Sequence, residues 1–136
     1  LKDNITFFDL SPNNERMIEA AKLAEIHGDI LHTTMGYESL IGDMGTALSQ
    51  GQQQRVLIAR ALYSQPKIIF LDEGTGHLDA RAENTIMDNI KSLGITCIYV
   101  THNPSLLAYA DDVIQWDSQG LPHVASDPTN YIEVRR

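Results

Sequence analysis

Cysteine is almost absent: Cys97 is the only one in 136 residues. That excludes an internal disulfide framework and fits a reducing compartment. Basic residues are also scarce, 10 against 18 acidic ones for a net charge of -8. A free-standing binder of nucleic acid or of an anionic membrane draws much of its affinity from neutralising phosphates, so this balance argues against both. No apolar run approaches the roughly 20 residues that cross a bilayer, and no basic-then-apolar stretch suggests a signal peptide. Internal repeats and low-complexity segments are missing too. What remains is 43% hydrophobic and 21% charged, which predicts a soluble chain with one core and too little length for two ordinary domains. The start at Leu1, ahead of Ile5, Phe7 and Phe8, predicts a fragment of something longer.

Two textures follow one another. Over residues 11–64 the pattern is helical. Ser11 and Pro12 offer a helix start, Met17, Ala21 and Ala24 recur at helical spacing, and Gly28 offers a stop. A short helical piece is predicted near residues 30–34. Gly36, Gly42 and Gly45 then mark a loop, and a third helix begins after Ser49 and halts by Pro66. From Lys67 onward short β-rich runs alternate with helices. Residues 68–71 (IIFL) and 95–100 (ITCIYV) have the length and continuous apolarity of parallel strands covered on both faces. Between them residues 80–93 form an amphipathic helix with Ala82, Ile86, Ile90 and Leu93 on one face and Gly94 as its stop. Together these make a βαβ unit. A helix after Pro104, a strand over residues 113–116 and one more short strand complete the α/β expectation. The domain expectation is a helical lobe over residues 1–64 and an α/β part over residues 65–136.

The strand at residues 68–71 delivers two adjacent carboxylates, Asp72 and Glu73, at its carboxyl end, where ligands bind in open parallel sheets. One such acid can hold Mg²⁺ directly or through water while the other orients or deprotonates an attacking water. Standing alone, the pair reads as a turn cap and a solvated acid. Upstream, Ser49 and Gln52 have the spacing of a capping box. The helix start they cap offers unpaired N–H groups and a positive dipole end to a phosphate. The second strand runs into Thr101 and His102, putting a histidine at the same sheet edge as the acids.

The order LSQGQQQR, helix, IIFLDE, GHLD, then a strand ending in TH resembles the second half of the nucleotide-binding domain of an ATP-binding-cassette (ABC) transporter, over about residues 1–116. The resemblance implies a partial P-loop NTPase fold. It makes residues 48–52 the signature motif, residues 68–72 the Walker B strand, residues 76–79 the D-loop and His102 the switch histidine. It implies ATP and Mg²⁺ as cofactors, with Asp72 holding Mg²⁺ through water, Glu73 as general base and His102 on the γ-phosphate. Ser49, Gln50, Gly51 and Gln52 would face the ATP of a second nucleotide-binding domain in a head-to-tail dimer, and Asp79 would lie across that seam. Arg55 and Arg60 are expected in structural ion pairs. The remaining partner is a transmembrane domain at the cytoplasmic face of the bacterial inner membrane, and no nucleic acid is expected. Residues 41–45, 35–37 and 76–79 are most similar to exporters of the colicin V type, implying export of a bacteriocin-like peptide.

Two departures stand out. Gln50 occupies a position where the family has glycine, and a side chain is sterically allowed at the first position of a helix, so altered local contacts are expected rather than loss of the phosphate site. No G-x-x-x-x-G-K-[ST] loop occurs anywhere in the chain, so these residues alone are expected to bind ATP poorly. Two rival readings remain. A chromosome-maintenance or repair ATPase shares the motifs but needs basic surface and a coiled coil. A non-catalytic module would keep the fold but not the chemistry. His27 and His32 read as surface histidines, Cys97 as a buried inert thiol and Trp116 as core.

Overall fold

The computed structural model describes residues 1–42, 47–72, 75–101, 103–116 and 121–124. The chain divides into two compact units, Leu1–Val100 and Thr101–Arg136.

The first unit begins with α1 (Lys2–Thr6) and α2 (Asn14–Leu23). The start of α2 is set by Asn13 rather than by Ser11: its side chain accepts the Arg16 N–H at 2.9 Å, satisfying one of the helix's orphan donors. Gly28 does not end it. The chain turns at Glu25, whose φ is 55°. The Ile26 N–H reaches back to the Ala21 carbonyl at 3.0 Å and Ile26 is fully buried, a hydrophobic latch that stops the helix without glycine. Gly28 instead lies inside α3 (His27–His32), which starts three residues before the predicted piece. A 3₁₀ turn, Gly36–Glu38, follows. The loop at residues 43–46 lies outside the described residues.

The longest helix, α4 (Gln50–Tyr63), buries Val56, Ile58, Ala59, Leu62 and Tyr63 and packs on α1 and α2. Alanines at positions 20, 21 and 59 are buried in this helical lobe, where their small side chains permit close approach. Polar pins hold α4 along its length. Arg60 donates from Nε to the Asn4 carbonyl at 2.6 Å and from Nη2 to Asn4 Oδ1 at 3.1 Å, with its guanidinium over the Phe7 ring. It therefore meets neutral oxygens and a π face, not the carboxylate of an ion pair. Three residues on, at the close of α4, the Tyr63 hydroxyl donates to Asp9 Oδ2 at 2.9 Å and accepts the Asn13 N–H at 3.1 Å, under the Arg16 guanidinium.

Next come β1 (Ile68–Asp72), α5 (Ala80–Ser92) and β2 (Thr96–Val100). The strands pair in parallel, Ile68 opposite Thr96 through Asp72 opposite Val100, which is the expected βαβ unit. On α5, Ile86, Met87 and Ile90 are buried; each such side chain contributes about 1.5–3 kcal/mol. Gly94, with φ of 64°, follows the helix end. Asn89 Nδ2 ties α5 to the end of α2 through the Leu23 carbonyl at 2.9 Å. The sheet is covered on one face only. Ile69 and Leu71 are buried, whereas Ile68, Phe70, Ile98 and Val100 point to solvent. Cys97 is half-buried, and burial pushes its thiol pKa up.

In the second unit Asn103 caps a 3₁₀ helix, Pro104–Tyr109, by accepting the Ser105 N–H at 3.1 Å. The short helix expected after Pro104 thus takes the tighter 3₁₀ form over six residues opened by proline. An antiparallel pair follows, β3 (Ile114–Trp116) with β4 (Pro122–Val124). The Trp116 side chain lies outside the described residues.

Candidate nucleotide half-site

The sequence places a capping box at the start of α4, and the structure forms it. Ser49 Oγ accepts the Gln52 N–H at 3.2 Å, and Gln52 Oε1 accepts the Ser49 N–H at 2.9 Å. The Gln53 N–H is satisfied by the Ser49 carbonyl at 2.9 Å. The N–H groups of Gln50 and Gly51 belong to the first turn, where the helix supplies no acceptor. Among the described residues no acceptor is recorded for these two N–H groups, and they share the first turn of the 14-residue helix with the Ser49 hydroxyl and the positive end of the helix dipole.

Side chains from outside α4 fix this turn in place. Gln52 Nε2 donates to Asp29 Oδ1 on α3 at 2.8 Å, so both ends of the Gln52 amide are engaged within the chain. Arg55, one turn further along, pairs with Asp29 Oδ2 at 2.8 Å and also donates to the Glu25 carbonyl. Arg55 is thus the structural ion pair expected of it. Asp29 had no signal in the sequence, because its partners lie 23 and 26 residues away. Beside this cluster, His27 Nδ1 and the Tyr37 hydroxyl are 2.9 Å apart, and burial pushes the Tyr37 pKa up to about 12. His32 Nδ1 lies 2.7 Å from the Gly28 carbonyl.

The retained glycine has a geometric cause. A Cβ on Gly51 would stand 2.9 Å from the His77 carbonyl oxygen, a backbone atom that cannot swing aside. The first turn of α4 therefore lies directly on the segment at residues 75–79, and the Gln54 Oε1 accepts the His77 N–H at 3.1 Å. Gln50, by contrast, is exposed, and its side chain is accommodated as expected. Asp79 caps α5, accepting the Ala82 N–H at 2.9 Å. One of its oxygens thus has a structural task.

Asp72 ends β1 opposite Val100 and is exposed at the carboxyl edge of the sheet. Among the described residues no hydrogen bond or ion pair occupies its carboxylate. A hard oxygen donor of this kind suits Mg²⁺ through a water shell. Glu73 and His102 lie outside the described residues, so the structure brings together Ser49, Gly51, Gln52 and residues 75–79, and locates Asp72 at the sheet edge. No group of three or more acidic, histidine or cysteine residues that could hold a metal occurs among the described residues. No helix of the described residues is long and apolar enough to cross a membrane.

A parallel βαβ unit with an acid at its strand end, together with a capped 14-residue helix, is part of an α/β fold. Residues 2–76 match the family model for ABC transporters, and the chain belongs to that family. It is similar to the colicin V secretion/processing ATP-binding protein of Escherichia coli, 42% identical over 114 residues, covering 84% of this chain and 16% of the relative. It is also 42% identical over 116 residues to the toxin RTX-III translocation ATP-binding protein of Actinobacillus pleuropneumoniae, with the same two coverages. Among solved structures, a bacterial Atm1-family ABC exporter with ATP bound superposes with a TM-score of 0.76 at 33% identity, over 83% of this chain and 20% of that one. The chain thus spans about a sixth of the length of the curated relatives it matches.

Proposed function

We propose that these residues form the signature and Walker B portion of an exporter ATPase, the helical lobe of residues 1–64 presenting the signature and residues 65–136 carrying the carboxylates. The supporting observation is the first turn of α4, where Ser49 Oγ and the Gln50 and Gly51 N–H groups share one capped helix start while Gly51 seats the turn on residues 75–79. In this reading the turn meets the γ-phosphate of ATP held by a second nucleotide-binding domain, with Gln52 bracing the turn from within. Asp72 would hold Mg²⁺, which would supply neutralisation of phosphate charge. Glu73 takes the proton of the attacking water, His102 contacts the γ-phosphate, and Asp79 reaches the dimer seam. Positioning and charge stabilisation supply most of the rate in such a site.

The complete protein would work with a transmembrane domain at the cytoplasmic face of the bacterial inner membrane. The names of the relatives, which secrete colicin V or translocate an RTX toxin, support a polypeptide cargo. The test is phosphate release from MgATP by the longer protein carrying these residues with an upstream phosphate-binding loop. Turnover that disappears in Glu73→Gln supports the reading. A folded, inactive protein overturns it in favour of a non-catalytic module.

A further inference from the structure

We propose that Asp29 is a positioning residue for the signature turn. This rests on the function proposed above and deepens it: Gly51 seats the turn on residues 75–79 by close approach, and Asp29 adds directed bonds to it from α3. Ser49 and Gln52 close the capping box on each other, which shapes the turn without bonding it to another element. Asp29 supplies the external reference. Its two carboxylate oxygens bind two different residues of α4, Gln52 Nε2 and Arg55 Nη1, each at 2.8 Å.

Two anchor points on one helix, one turn apart, restrain its rotation as well as its translation; a single bond would restrain neither fully. Charge assistance makes the Arg55 bond the stronger of the two. The Gln52 bond reaches the phosphate-facing turn itself. The amide of Gln52 thereby links Asp29 on one side to the Ser49 N–H on the other, so the carboxylate of α3 lies one side chain away from the residue that meets the phosphate. Arg55 further fastens α4 to the Glu25 carbonyl at the left-handed turn between α2 and α3. The helix that carries the signature is therefore aimed by α3, and a change in the tilt of α3 would re-aim it. Misplacing a catalytic group by about 1 Å costs on the order of 100-fold in rate. Substrate capture through the upstream phosphate loop would be unaffected.

The test uses the complete exporter proposed above. Asp29→Ala should lower kcat by roughly 10- to 100-fold, with KM for ATP changed by less than about threefold and with nucleotide-binding stoichiometry intact. Loss of folded protein would instead lower that stoichiometry. Asp29→Ala/Arg55→Ala should be no slower than the slower single variant, since both remove one brace. Gln52→Glu keeps the capping-box acceptor but sets a like charge against Asp29. It should lose kcat and recover much of it when combined with Asp29→Asn, whose amide can donate to the new carboxylate. Asp29→Ala with unchanged kcat overturns the proposal, as does a rise in KM alone or additive loss in the double variant. Should Asp29→Ala fail to fold, the Gln52→Glu pair decides: no loss, or loss without recovery, overturns the proposal. An unsubstituted exporter that is folded yet hydrolyses no ATP overturns the functional reading first and this inference with it.

Discussion

The two ends of the candidate site are built by different means. The helical end is tied at both ends of α4: Asp29 and Glu25 hold its first turns, Asn4 holds Arg60 in its last turn, and Asp9 and Asn13 hold Tyr63 at its close. The sheet end rests on two strands and one helix. Its second face leaves Ile68, Phe70, Ile98 and Val100 open to water. A two-stranded sheet is marginal in isolation, and a contiguous apolar patch is a surface for something to cover. Orientation of the signature turn is therefore set by side-chain chemistry within these residues, whereas rigidity of the Asp72 edge depends on what covers the open face.

The comparison can be broken most severely at the sheet end. Ile90→Ala empties a fully buried position on α5 and should cost about 2–5 kcal/mol, seen as a lowered denaturation midpoint. At the junction of the two ends, Gly51→Ala forces a methyl against the His77 carbonyl. It should cost about 1–3 kcal/mol and release the His77 amide to faster hydrogen exchange. Gln50→Gly, one residue earlier and exposed, should stay within about 1 kcal/mol of the unsubstituted protein.

A smaller effect is expected beside the helical cluster. The raised Tyr37 pKa means the folded state keeps its proton longer than the unfolded state, whose tyrosine ionises near 10.0. That contribution is complete below pH 10 and is lost as pH rises toward about 12. Tyr37 is only partly buried, so the loss should not exceed about 1 kcal/mol after solvent screening. A stability–pH curve measured for Tyr37→Phe should be flatter over that window. Smallest in stability is Phe70→Thr together with Ile98→Thr, both on the open face. Folding free energy should move by roughly 0.5 kcal/mol or less per site, while sedimentation velocity should show less self-association. Unchanged association would place the sticky surface elsewhere.

Local chemistry was legible in the sequence wherever cause and effect lie within one turn or one strand. The Ser49 capping box needs only residues 49–52, the strand boundaries follow from apolar runs, and α5 follows from its stripe and from Gly94. Legibility failed where a distant residue decides. Gly28 looked like a stop because glycine commonly is one, but burial of Ile26 against the lobe ended α2 earlier. The open sheet face contradicts an apolar pattern that implied cover on both sides. Asp29 was one acid among 18 until α3 and α4 were brought together. Of the site, the motif positions could be named in advance, but what orients them could not.

Gly51 also bears on how such chains are recognised. Positions 50 and 51 carry the same letter in the usual motif, yet only the second lies against a neighbouring backbone. A side chain at the first has room, whereas one at the second must push on the His77 carbonyl. A search pattern that weighs both equally would discard this chain for its glutamine, whereas one weighted by how closely the backbone of residue 77 approaches would retain it.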